Sequence, residues 1–124
     1  MIKLYTTSSC ASCKKAISFF KENDIEFEEK NIQIVPLTDQ EIKTMLMMSE
    51  NGTEDIISTR SKIMSEGNID VEDLSMDELI KFVQANPTVL KRPIIMNDSI
   101  MQVGYNDEEI RAFIPRSQRF LFYK

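Results

Sequence analysis

At 124 residues the chain is long enough for a real hydrophobic core and too short for two independent ones. Its 15 Lys plus Arg stand against 20 Asp plus Glu, with no histidine. That excludes histidine-based acid–base catalysis and argues against tight autonomous binding to a phosphate backbone. No apolar stretch approaches the length of a membrane span or a signal-peptide core, so the expected location is the cytoplasm, away from membranes.

Apolar alternation predicts a strand over residues 1–6 and a helical pattern over 11–23, the latter carrying Ala16, Ile17 and Phe20. After the break at Asn23-Asp24, Glu26 to Ile32 reads as a second strand. Pro36-Leu37-Thr38 opens a helix, with Thr38 and Glu41 spaced as a capping box, Ile42, Met45 and Leu46 on one face, and Asn51-Gly52 as its end. From Glu54 to Asn86 the pattern stays helical: a short segment around Ile56 and Ile57, another after Arg60, and a third capped by Ser75 and Glu78 with Leu79, Ile80 and Val83 as its apolar face. Pro93 to Met96 and Ile100 to Val103, joined by Asn97-Asp98-Ser99, form a hairpin. Asn106 and Glu109 then cap a last helix bearing Ile110, Phe113 and Ile114, stopped by Pro115.

A β-α-β opening and a β-β-α ending, separated by helices, is an α/β thioredoxin-like mixed sheet with an inserted helical subdomain. The expected organisation is one domain over 1–124, with the sheet core at about 1–34 and 87–117 and the insertion at about 36–86. In such folds a cis proline at the start of the third strand faces the Cys10-Ala11-Ser12-Cys13 turn, and Pro93 has that position. The alternative is an ordinary trans proline opening an edge strand.

Chemistry concentrates in Cys10-Ala11-Ser12-Cys13, which holds the only cysteines of the chain at a strand-to-helix junction. A helix start offers unpaired N–H groups and a positive dipole end, and Lys14 and Lys15 add charge. Cys10 is therefore the candidate thiolate nucleophile and Cys13 its resolving partner. The competing reading is a pair of structural thiols. A zinc site does not fit, because two thiolates without histidine leave a tetrahedral shell open, so no metal or other cofactor is expected. Arg92, next to Pro93, either projects toward the thiols as part of a redox switch or lies on the surface with its head solvated. Gly52 reads as a helix C-cap needing positive φ. Arg60 and Lys62 read as a short basic patch or an exposed pair on a helix. Glu66 to Glu78 holds six acids and no base and reads as a solvated face. The eight methionines read as core fillers.

The stretches LYTTSSCASCKKA at 4–16, ENGTEDIISTRSK at 50–62, LKRPIIM at 90–96 and QVGYNDEEIRAFIPRS at 102–117 together resemble the Spx family of transcription regulators, a branch of the arsenate reductase-like thioredoxin folds. The resemblance implies a redox-sensing monomer that is not an enzyme. It implies binding to the C-terminal domain of the α subunit of RNA polymerase through a surface that includes Gly52, promoter DNA contact only within that complex, and turnover by a ClpXP-type protease with an adaptor. Arg60 and Lys62 would then face polymerase or nearby DNA, and two charges release too few counterions to bind DNA alone.

The runner-up is a small thiol-disulfide oxidoreductase or arsenate reductase using Cys10. A third reading is a binding adaptor with inert cysteines. Arsenate reductases of this fold supply three arginines; Arg60 and Arg92 match two positions, while Gln102-Val103-Gly104-Tyr105 lacks the third and Thr7-Ser8-Ser9 lacks the histidine. Arg60, Arg92 and the helix start would then serve as an anion-sensing site. The tail after Glu109 carries Arg111, Arg116, Arg119 and Lys124 with no acid, and its apolar run Phe120 to Tyr123 reads as a protease recognition element or docking strand.

Overall fold

A computed structural model of the chain describes residues 1–67 and 69–115. Two compact units divide it: Met1–Lys30 with Arg92–Lys124, and Asn31–Lys91. The inserted unit therefore runs a few residues further at each end than the sequence pattern sets it. Its extra C-terminal part is tied down by an antiparallel bridge between Ile57 and Leu90, with Ser58 N–H donating to Val89 O at 2.7 Å and Lys91 N–H to Ile56 O at 2.8 Å.

The first unit contains a four-stranded mixed α/β arrangement in the order β2-β1-β3-β4, made of β1 (Ile2–Thr6), β2 (Phe27–Asn31), β3 (Ile94–Met96) and β4 (Met101–Val103). β3 pairs antiparallel with both β1 and β4, placing Leu4 opposite Ile95 and Ile95 opposite Gln102. The hairpin turn is closed by Asn97, whose Oδ1 accepts from the Ser99 and Ile100 N–H groups at 2.8 and 2.9 Å. Helix α1 (Ala11–Glu22) buries Cys13, Ala16 and Phe20. Those positions follow the 3.6-residue period, so one face of α1 enters a core with Ile2, Leu4, Ile25, Ile95, Ile110 and Phe113. Phe20 anchors it, edge-on to Phe113 with ring centroids 6.0 Å apart.

β2 is an edge strand with two exposed carboxylates, Glu28 and Glu29, and a half-buried Lys30. Glu29 also accepts a hydrogen bond from the Thr6 hydroxyl at 2.8 Å. After β4 the expected α-helix is instead a 3-10 turn, Glu109–Phe113. Its N-cap is Glu108 and not the expected Asn106, whose Oδ1 instead closes the preceding turn by accepting from the Glu108 and Glu109 N–H groups at 2.9 Å. The stretch before Pro115 is one short run, and its tighter winding still buries Ile110 and Phe113.

The second unit is helical: α2 (Asp39–Met48), α3 (Thr53–Ile56), α4 (Lys62–Glu66), a 3-10 turn at Val71–Asp73 and α5 (Met76–Ala85). Both expected capping boxes form, at Thr38 with Glu41 and at Ser75 with Glu78. α5 buries Leu79, Ile80 and Val83, and Gln84 Nε2 donates to Leu37 O at 2.9 Å and Asp39 Oδ1 at 2.8 Å, joining α5 to the start of α2. The end of α2 differs from expectation. Ser49, not Asn51-Gly52, is its C-cap, and Gly52 stands at the N-cap of α3 with φ +66° and ψ −132°. Gly52 thus has the positive φ expected of it but begins a helix instead of ending one.

Candidate functional site

β1 ends at Thr6, and the chain reaches α1 through Thr7, Ser8 and Ser9, with Ser9 at φ +60°. A left-handed serine costs about 1–2 kcal/mol. It turns the chain so that Cys10 becomes the N-cap of α1, where its Sγ accepts a hydrogen bond from the Cys13 N–H at 3.2 Å. A thiol thus occupies the capping place that Ser or Asp ordinarily fills. Both cysteines are free thiols; Cys10 is half-buried and Cys13 buried.

Burial pushes the Cys13 thiol up to about 12, its hydrogen bond with Cys10 adds to the rise, and the Thr7 backbone and the Arg92 charge pull the other way. Cys13 is therefore a neutral thiol near neutral pH. Because its ordinary value is 9.0, the unfolded chain ionises first as pH rises past that value, and folded-state stability falls between about 9 and about 12. Cys10 is thus the more accessible of the two sulfurs and Cys13 the less accessible. Iodoacetamide at neutral pH should label Cys10 in the folded protein and leave Cys13 unmodified, as peptide mass mapping would read out. Equal labelling would contradict the burial of Cys13.

Arg92 is half-buried, and its charge acts on Cys13. The Arg92–Pro93 peptide bond is cis and Pro93 is buried, with its carbonyl accepting the Gly104 N–H at 2.8 Å. The fold thus gathers two thiols, an arginine and a cis proline in one unit. The sequence pattern does not single out the loop Tyr105-Asn106-Asp107, which with Ser12 and Lys15 of α1 lines an open pocket of about 420 Å³. The available signal is Gly104 followed by turn-forming polar residues, a stretch the sequence marks for a helix cap at Asn106 and for the arginine it lacks, not for a pocket.

Gly52, Arg60 and Lys62 belong to the inserted unit. Arg60 and Lys62 are exposed, Lys62 as the first residue of α4. The Gly52 loop is held by Asp55, a neighbour that no sequence motif marks. Asp55 Oδ2 accepts from the Glu50 and Asn51 N–H groups at 2.8 and 2.9 Å, and its Oδ1 from Asn51 Nδ2 at 3.2 Å. The Asn51 backbone hydrogen bond foremost, then the Asn51 side chain, hold the Asp55 carboxyl below its ordinary value. A depressed carboxylate anchors the loop above the ordinary carboxylate range and releases it as pH falls through its lowered value. Asp55→Ala should accordingly speed hydrogen exchange at the Glu50 and Asn51 amides at neutral pH. Unchanged exchange would show that the loop holds its shape without the carboxylate.

Residues 116–124 lie outside the described residues, so Arg116, Arg119, Lys124 and the apolar run Phe120 to Tyr123 receive no structural account. Among the described residues no three His, Cys, Asp or Glu side chains gather to hold a metal ion, and no helix is long and apolar enough to cross a membrane.

Comparison with solved structures bears on the fold. A solution structure of a protein from Staphylococcus aureus COL matches with a TM-score of 0.73 at 25% identity, covering 90% of this chain and 97% of that one. An arsenate reductase from Vibrio cholerae matches at 0.74 and 16% identity, covering 90% and 96%. The thioredoxin-like α/β architecture expected from the sequence is therefore found.

Sequence relatives are nearer. A protein of Streptococcus mutans named global transcriptional regulator Spx is 49% identical over 119 residues, covering 96% of this chain and 87% of that one. One of the same name from Enterococcus faecalis is 47% identical over 121 residues, covering 98% and 92%. The ArsC family model matches residues 5–113. Near-half identity along almost the whole length, on this fold and with a C-x-x-C turn at the head of α1, makes the chain a member of the ArsC family and, within it, of the Spx group.

Proposed function

We propose that the chain is a redox-sensing transcription regulator of the cytoplasm that binds the C-terminal domain of the RNA polymerase α subunit and changes promoter choice under thiol stress. The observation that carries this reading is the 49% identity over 119 residues to a protein named global transcriptional regulator Spx. The dithiol supports the sensing part: Cys10 caps α1 at a half-exposed place, Cys13 waits as a buried thiol, and Arg92 supplies a charge that feels the state of the pair. Gly52 serves as the polymerase contact, and Arg60 and Lys62 face polymerase or the adjoining promoter. The protein acts as a monomer and is removed by a ClpXP-type protease with its adaptor.

Capture of the isolated α C-terminal domain, under reducing and oxidising conditions, tests the reading. Binding in both states is expected, with transcription from redox-dependent promoters only in the oxidised one. Absence of binding in both states would overturn it.

The enzyme reading is the competitor, favoured by the free dithiol on an arsenate reductase-like fold. A tetrahedral oxyanion needs several fixed cationic donors. The segment Gln102 to Tyr105 carries no arginine and Thr7 to Ser9 no histidine. Arsenate reduction with glutathione and glutaredoxin supplied should therefore not exceed background. Turnover on the order of 1 per second or faster would reverse the ranking.

A further inference from the structure

The loop between α2 and α3 carries a chemically reactive pair. Of the asparagines in the chain, Asn51 alone is followed by glycine. A side chain on the following residue shields its backbone nitrogen, so an asparagine closes onto that nitrogen most readily when the next residue is glycine. The geometry leaves the nitrogen open. Asn51 is exposed, the Gly52 N–H donates to no acceptor among the described residues, and a Cβ built on Gly52 meets no atom within 4 Å.

Asp55 is the group that meets this pair. Its Oδ1 accepts from Asn51 Nδ2 at 3.2 Å, while its Oδ2 takes the Glu50 and Asn51 N–H groups. Attack of the Gly52 nitrogen on Asn51 Cγ expels Nδ2, so it breaks a hydrogen bond that the resting loop makes. The negative charge that develops on the Asn51 side-chain oxygen during attack also forms beside an ionised carboxylate, which disfavours it.

We propose that Asn51-Gly52 is a self-modifying site, at which Asn51 deamidates through attack by the Gly52 nitrogen, and that Asp55 slows the reaction. The Gly52 nitrogen gives its proton to water or hydroxide and bonds to Asn51 Cγ; the Cγ–Nδ2 bond breaks and ammonia departs, leaving a five-membered imide. Water opens the imide at Cγ to give aspartate, or at the Asn51 carbonyl carbon to give isoaspartate, whose main chain runs through Cγ. One water enters and one ammonia leaves, and no electrons are transferred. Conversion undoes the anchor of the loop. A carboxylate oxygen replaces the Nδ2 donor that faced Asp55, so a like-charge pair stands where the hydrogen bond was. The isoaspartate form also adds a main-chain atom between the Asn51 N–H that Asp55 holds and Gly52. Resting on the reading above, in which Gly52 is the polymerase contact, an aged chain loses its hold on polymerase without any oxidant.

The test ages the full chain in neutral buffer and follows each asparagine by peptide mass mapping, with isoaspartate detected by protein isoaspartyl methyltransferase. Asn51 should convert well ahead of Asn23 and Asn97, which precede aspartates. The ratio of the folded rate to the rate in urea removes the intrinsic reactivity of the dipeptide. Asp55→Ala should raise that ratio about threefold, the size expected for one modest hydrogen bond, and Asp55→Asn, which keeps an acceptor oxygen without the charge, should raise it by less. Circular dichroism confirms that each variant folds. Conversion of Asn51 no faster than that of Asn23 and Asn97 overturns the site, and a ratio unchanged or lowered in Asp55→Ala overturns the role of Asp55. Ion exchange then separates converted from unconverted chain, and each fraction is offered to the α C-terminal domain. Loss of binding confined to the converted fraction is expected, and equal binding by both overturns the regulatory consequence. Failure of the unconverted chain to bind overturns the polymerase reading, while the mass spectra still decide the modification.

Discussion

Gly52→Arg should abolish binding to the α C-terminal domain in a chain that still folds, whereas Gly52→Ala should bind, though more weakly. Gly52 holds φ +66° and ψ −132°, a region that side chains other than glycine enter at about 1–3 kcal/mol. Both substitutions meet that strain. They differ in the atoms beyond the Cβ, and a Cβ built at this position meets no atom within 4 Å. Space for a side chain exists in the free protein, so loss specific to arginine must come from a partner that occupies that space and from burying a charge without a counter-ion. Binding titrations beside thermal melts separate the two effects. Equal binding by the folded Ala and Arg variants would move the interface away from Gly52.

Cys10→Ala and Cys13→Ala should each remove redox-dependent transcription almost entirely while changing binding to polymerase α only weakly. Either substitution prevents the disulfide on which the proposed function makes the promoter readout depend. Arg92→Ala is the sharper variant. Its charge acts on Cys13 in the dithiol state, and disulfide formation removes that ionisable sulfur. Loss of the promoter response in Arg92→Ala, with disulfide formation still seen on gels, would place the arginine between the bond and the output. Full response in that variant would assign the output to α1 itself, whose N-cap sulfur the disulfide engages.

Local chemistry makes much of this molecule legible in its sequence. Thr38 with Glu41 and Ser75 with Glu78 are capping signals that depend on a few neighbouring residues, and both act where expected. The apolar residues Ile2, Leu4 and Tyr5 of β1 and Ala16 and Phe20 of α1 are likewise buried, as their pattern predicts. The departures depend on contacts beyond the local window. Asn51-Gly52 carries the signature of a helix end, yet Asp55, several residues on, gathers the Glu50 and Asn51 amides and makes Gly52 a beginning. The last helix winds as a 3-10 turn because burying Ile110 and Phe113 takes only one short run before Pro115. The thiol pair is legible because two cysteines at a strand-to-helix junction are locally distinctive. The pocket loop is not, since Lys15 and Asp107 acquire meaning only when the fold sets α1 beside the end of β4.

The charged edge formed by β2 also governs how the molecule behaves in a crowd. An open strand is a template on which another chain can lay its own backbone. Here an incoming strand would have to strip water from Glu28 and crowd Glu29, which the Thr6 hydroxyl already engages. Self-templated fibre growth from this edge is thereby opposed at its first step.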